Sequence, residues 1–374
     1  MPRILALFFL IPLFAACSTD QASDGLIVEN PFHGPEQESD RYHLVVEELV
    51  QFGVEEEPFE EVLSSPAYVF EGPDGRVFIL DQTRVVVFNS DGSFHSTFGR
   101  EGEGPGEINR AFAMKGSPWG DLMIQNQGGQ RLDFFAGDGT HLETVSRDEL
   151  GQVGFVRPVA ILKDSTIVFS GSLQGAVGTR VLHMDMHDWS VIDSFRVEEE
   201  IEIDIPGGIS AGGSVAMMAN DIVLSNNLRY ELARYSLQGD TLQIVRRDVP
   251  DYTRPGYATF GSGFGVRMYS SVSEPAPLQD GYWLVESRWP TNIPDPDEHS
   301  RLAFTQGNPP EPDNHRSLDV FDEKRRLVFS VENEDMEPLG LGYIAHTIAP
   351  GEFLAVRYQP YPHVVRVRVR VEEG

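Results

Sequence analysis

A single cysteine, Cys17, is too little for an internal disulfide framework or a thiolate zinc site. Basic residues are scarce too: 29 Lys and Arg face 58 Asp and Glu, a formal charge of −29. A field of that sign repels phosphate backbones and anionic lipid surfaces, which argues against nucleic acid as a partner. The chain has no helical HExxH, no GxSxG elbow and no P-loop lysine, so no catalytic residue is assigned. His183 and His187 have the i, i+4 spacing but fall across a strand and a turn. What is plentiful is glycine (36) and proline (25), a composition suited to many short strands joined by turns.

Arg3, an apolar run at 4–14 and then Ala15-Ala16-Cys17 have the layout of a secretory signal, and the run is too short to span a bilayer comfortably. The segment resembles a bacterial lipobox, with Phe14 where leucine is usual. That resemblance makes residues 1–16 a signal peptide and Cys17 a lipidation site; an ordinary signal cut nearby is the alternative. Ser18 after the cysteine implies, by resemblance to bacterial sorting patterns, an outer-membrane lipoprotein that is periplasmic or surface-exposed. Residues 18–41 are polar, acidic and aperiodic, so 17–41 is read as a lipidated flexible tether.

From residue 42 onward the chain repeats itself. RVVVF ending at Phe88 is echoed by RLDFF at Phe135, RVLHM at Met184, ELARY at Tyr235, SLDVF at Phe321 and HVVRVRV around Val367. The step is roughly 50 residues, with one nearly doubled gap between Tyr235 and Phe321 that is read as an insertion rather than a seventh repeat. Before each lies another short strand, introduced by a turn such as Asp74-Gly75 or Pro350-Gly351. Runs such as VFIL and VVVF are apolar on both faces, as expected of strands packed between neighbouring sheets. Six small antiparallel sheets of this length predict an all-β fold, a six-bladed β-propeller over 42–374. The last repeat lacks an outer strand, and YHLVVEELV at 42–50 has no other partner, so pairing the two closes the ring. Glu47 and Glu48 are expected opposite Arg366, Arg368 and Arg370.

DGRVFILDQTRVVVFNSDG followed by FGREGEGPGE resembles the first blade and glycine-rich exit of the bacterial six-bladed β-propeller lipoproteins related to NHL-repeat proteins. The resemblance covers residues 42–374 and is looser in later blades. It implies an exported propeller with no single shared activity, and some similar-looking propellers are calcium-dependent lactonases and lyases. Two functions therefore stand side by side. One is an exported, lipid-anchored binding module for an envelope protein, peptide or glycan, touching membrane only through its anchor. The other is a calcium-dependent hydrolase or lyase with its site in the propeller channel.

Candidate residues divide between these readings. Two long insertions break the repeat around blade five, and they hold Tyr252, Tyr257, Arg288 and Trp289. Arg229, Tyr230 and Arg357 lie just past strands of other blades and could join them; aromatic residues with arginine suit recognition, while packing of loops on one another is the plainer reading. For a channel metal, Glu71, Asn126, Asn226 and Glu286 fall near strand ends in different blades, and calcium is the one cofactor left open. Gly102, Gly104 and Gly106 could offer N–H groups to an anion, but Glu101, Glu103 and Glu107 oppose it, so a tight crossing between blades is favoured. Arg84, Arg131 and Arg180 recur four residues before the repeat's aromatic or methionine and are expected to pair with acidic neighbours.

Overall fold

The computed structural model describes residues 26–37, 41–151, 153–173, 179–197, 213–261, 263–293, 295–307 and 312–374. The signal segment and Cys17 lie outside them. The described chain forms six antiparallel sheets arranged as the blades of a propeller. Blade one is Pro66–Glu71, Val77–Asp81, Arg84–Phe88 and Phe94–Phe98, from the channel outward. Blade two repeats this with Ala113–Gly116, Leu122–Asn126, Arg131–Phe135 and His141–Ser146, and blade three with Val153–Ile161, Thr166–Leu173, Arg180–Asp185 and Val191–Arg196. Blade four is Val215–Met218, Asp221–Asn226, Glu231–Tyr235 and Thr241–Arg247. In blade five the inner strand is broken into Ser271–Val272 and Ala276–Pro277, followed by Trp283–Pro290, Asn314–Phe321 and Leu327–Glu332.

The second and third strands are buried on both faces; all five residues of Val77–Asp81 and of Leu122–Asn126 are inaccessible. Each blade junction holds its own apolar cluster. Between blades one and two, for example, Phe78, Leu80, Val85 and Val87 meet Met114, Leu122, Ile124 and Phe135. The turns that introduce the second strands need a left-handed residue, supplied by Gly75 (φ 81°) and Gly351 (φ 80°), and by Ser165 and Asp280 elsewhere.

Blade six closes the ring. Tyr343–Ala349, Glu352–Arg357 and His363–Glu373 take Tyr42–Phe52 as their outer strand, with Tyr42 opposite Glu373 and Phe52 opposite Val364. Glu47 reaches Arg370 at 3.2 Å and Arg368 at 3.5 Å. Glu48 instead turns to Arg357 at 2.5 Å, and Arg366 pairs with Glu71 on blade one.

The stretch expected to be a tether behaves differently where it is described. Ile27–Asn30 runs parallel to Thr241–Arg247 as a fifth strand of blade four. The chain then crosses to blade five. Asn30 bridges the two: its Nδ2 donates to the Arg246 carbonyl of blade four at 3.0 Å and to the Arg325 carbonyl of blade five at 3.1 Å, and its Oδ1 accepts from Leu327 N at 2.7 Å. Gln37 exchanges two hydrogen bonds with the Ser330 backbone. Polar composition concealed this docking because it is made largely by backbone and amide groups on sheet edges, which leave no apolar period in the sequence.

Candidate functional site

The two insertions leave from the same rim of the ring, one at the crossing from blade four to blade five and one between the second and third strands of blade five. They fold on each other. The first forms the hairpin Gly256–Phe260 and Gly263–Arg267; the second forms the helix α1, Pro296–Thr305. Asp295 caps the helix, accepting from Asp297 N at 3.1 Å and Glu298 N at 3.0 Å, and Pro296 opens its first turn.

Small residues decide how closely hairpin and helix approach. A Cβ at Gly256 would overlap the Pro296 carbonyl, and one at Gly265 would overlap the Phe304 ring. The opposite face of the hairpin lays Tyr257 and Val266 over Leu228, at the turn of blade four. Arg254 grips Asp297 through two hydrogen bonds of 2.9 and 2.7 Å, and Asp297 also accepts from Tyr257 N at 2.8 Å. The Arg254 hydrogen bond holds the Asp297 carboxyl below the usual carboxylate range. Tyr269 Oη lies 2.8 Å from His299 Nδ1 and 3.0 Å from Ser300 Oγ. At the surface, Phe260 stacks on Phe304 with centroids 5.4 Å apart, and these rings keep 36% and 42% of their surface exposed. Phe264, also 36% exposed, lies on the other face of the hairpin, its ring 6.1 Å from that of Tyr257.

The expected binding residues are distributed unevenly over this region. Tyr230 and Trp289 are core residues, each about 2% exposed, although Tyr230 borders the groove described below. They belong to a buried hub. Arg247, fully buried, donates to Asp319 at 2.7 Å and twice to the Phe32 carbonyl, and the rings of Phe32, Tyr230 and Trp289 surround its guanidinium. Asp319 also accepts from Tyr230 Oη at 2.5 Å, Ser287 Oγ at 3.0 Å, Ser330 Oγ at 2.8 Å and Ser317 Oγ. Burial raises the Tyr230 hydroxyl well above its usual range, and Tyr252 likewise. Tyr252 leans on Tyr230 with centroids 6.3 Å apart.

Tyr257 sits beneath the hairpin, its hydroxyl buried without a hydrogen-bond partner among the described residues. Arg229 pairs with Glu231 at 2.8 Å and lines a groove of about 530 Å³ together with Arg246, Asp248 and Glu29. Arg357 ends the second strand of blade six and is held by Glu48 of the closing strand, with no contact to the insertions among the described residues. Arg288 is exposed and makes no side-chain hydrogen bond or ion pair among the described residues. The structure therefore places Tyr257 on the module's underside and Tyr252 against Tyr230 in the hub below it, puts Arg229 in the groove beside Arg246, and leaves Arg288 open at the module's base.

The proposed metal ligands are engaged separately. Glu71 pairs with Arg366, and Glu286 with Arg316 at 2.8 Å. Asn126 donates to Asp133 at 2.6 Å and to the Glu107 carbonyl at 2.8 Å, while Asn226 accepts from Leu228 N at 2.8 Å. Among the described residues no group of three or more His, Cys, Asp or Glu gathers as a metal site. The glycine-rich segment is the crossing from blade one to blade two. Arg131 donates to the Glu103, Gly104 and Glu107 carbonyls, and Glu107 accepts from Gly104 N at 2.8 Å, so these groups are satisfied internally. Arg84 and Arg131 pair with Asp81 and Asp133; Arg180 binds the Ser194 carbonyl and hydroxyl instead.

No protein-family profile matches this sequence, and comparison with curated proteins finds no match. Solved structures do share the fold. A member of the DUF4221 family from Bacteroides vulgatus is 11% identical, with a TM-score of 0.57 over 89% of this chain and 99% of its own. An exported-protein candidate from Bacteroides fragilis is 10% identical, with a TM-score of 0.58 over 92% of this chain and 99% of its own. At these identities the likeness is one of fold.

Proposed function

We propose that this chain is an exported propeller that recognises an envelope protein, peptide or glycan through the module raised on blades four and five. The observation that carries this reading is that two insertions far apart in sequence build one ordered hairpin–helix unit on a single rim, with the Phe260–Phe304 pair at its surface. Natural surfaces place such aromatic pairs where contact is made, and a rigid ring beneath lowers the ordering cost of binding. Arg288 supplies an exposed cation at the base of the unit, with no side-chain partner among the described residues. The fold shared with the Bacteroides fragilis protein supports export, and Cys17 is the natural lipid anchor.

The test compares envelope-extract pull-downs by the intact protein and by a Phe260→Ser/Phe304→Ser/Arg288→Ala variant of matched thermal stability. Loss of a defined partner from the variant is expected; an identical partner set retires the module as the binding face. Cys17→Ala should move the protein from the membrane fraction to the soluble fraction, and continued sedimentation with membranes would count against the lipid anchor.

A further inference from the structure

Two tryptophans stand where the other blades carry small or polar turn residues. The turn between inner and second strands is closed alike in blades one, two, three and five, by the Gly72, Ser117, Leu162 and Leu278 N–H groups donating to the carbonyl four residues on. Its middle position holds Asp74, Asp164 and Asp280, but Trp119 in blade two. The turn between third and outer strands carries Gly92, Gly139 and Gly239 in blades one, two and four, at φ 90°, 87° and 91°. Blade three has Trp189 in that place, at φ 59°, a left-handed conformation that a bulky side chain rarely adopts.

Both indoles arrive at one cleft. Trp119 from blade two and Trp189 from blade three line a cavity of about 140 Å³ on the rim opposite the hairpin–helix module. Phe134 joins them, its ring centroid 6.0 Å from that of Trp189, and the buried Leu122 and Ile161 add to the apolar lining. Trp119 is 46% exposed and Trp189 half-buried, so a solute can reach the rings. Trp119 Nε1 already donates to Asp121 Oδ2 at 2.7 Å, which leaves the indole's π face as what it offers a ligand. Charge runs one way here. Asp121 and Glu143 line the cleft, whereas no Lys, Arg or His does, and neither carboxylate makes an ion pair among the described residues. Aromatic faces and carboxylates both attract a cation, and apolar walls favour one that carries methyl groups rather than a hydration shell.

We propose that this cleft binds a small N-methylated ammonium cation of the choline type, its methyl groups against Trp119, Trp189 and Phe134 and its charge facing Asp121 and Glu143. A neutral ligand of the same shape would leave both carboxylates unused, and a phosphocholine headgroup would bring its phosphate against them. The site is separate from the rim module and does not depend on it.

Titration calorimetry of the full chain with choline and tetramethylammonium tests it, against phosphocholine and the uncharged alcohol in which carbon replaces choline's nitrogen. Both ammonium compounds should bind more tightly than either control. Trp119→Ala and Glu143→Gln, at exposed positions, should each weaken binding roughly threefold or more while leaving the melting temperature unchanged. Phosphocholine or the uncharged alcohol binding as tightly as choline, an affinity unchanged in either variant, or no binding of either ammonium compound would each overturn the proposal.

Discussion

Five donors converge on the Asp319 carboxylate, and Asp133 gathers Arg131, Asn126 and Thr144 at 2.7, 2.6 and 2.6 Å. Both aspartates stand two residues before the repeat's phenylalanine, in RLDFF and SLDVF, so the signal was present in the sequence. It was overshadowed by the apolar residues that define the repeat. Asp319→Ala strands the buried Arg247 charge and should cost about 3–5 kcal/mol in urea unfolding; a loss under about 1 kcal/mol would show that Phe32 and solvent suffice for Arg247. His346 makes a pH prediction. Its ordinary pKa is 6.5 and burial brings it to about 4, so between those values the unfolded chain takes up a proton that the folded chain refuses. This contribution to stability is full above pH 6.5 and is lost as pH falls toward 4. His346→Phe, which keeps a ring beside Phe70, should flatten that part of the pH profile; an unchanged slope relative to the parent would contradict the assignment.

Among elements, the second and third strands of every blade were legible, because burial on both faces writes continuous apolar runs such as VFIL and RVVVF. The innermost strands were not. AMKG and YIAHTIA carry polar residues toward the channel, and blade five's inner strand is broken in two, so neither period nor apolar length marks them. The nearly doubled gap was correctly assigned to an insertion, but its hairpin depends on Gly256 and Gly265 fitting against a helix some 40 residues away, which local pattern does not reveal. Gly256→Val should detach α1: hydrogen exchange in 254–269 and 295–305 rises while the blades stay protected. Protection unchanged in both segments would mean that the module tolerates the extra bulk.

For the whole molecule, ring closure by the strand at 42–50 was readable from two unpartnered ends, while the docking of 26–37 was not, since IVEN is only four residues long. Removing 26–37 takes away the Phe32 carbonyl that Arg247 uses and the Asn30 bonds to blade five. The expected result is a loss of about 3 kcal/mol or more, with exchange increased first in blades four and five. Deleting 42–50 should instead lower the unfolding midpoint of the entire ring, and an unchanged midpoint would refute closure.

Both early segments find their partners late in the chain: Glu29 meets Arg246 across 217 positions, and Arg41 meets Glu373 across 332. A ribosome makes these segments well before their partners. Until those partners emerge, the edges they will cover stay open to rival pairings, and loop-closure entropy opposes the native contacts. Closure of this ring therefore waits on His363–Glu373, the strand that Tyr42–Phe52 pairs with.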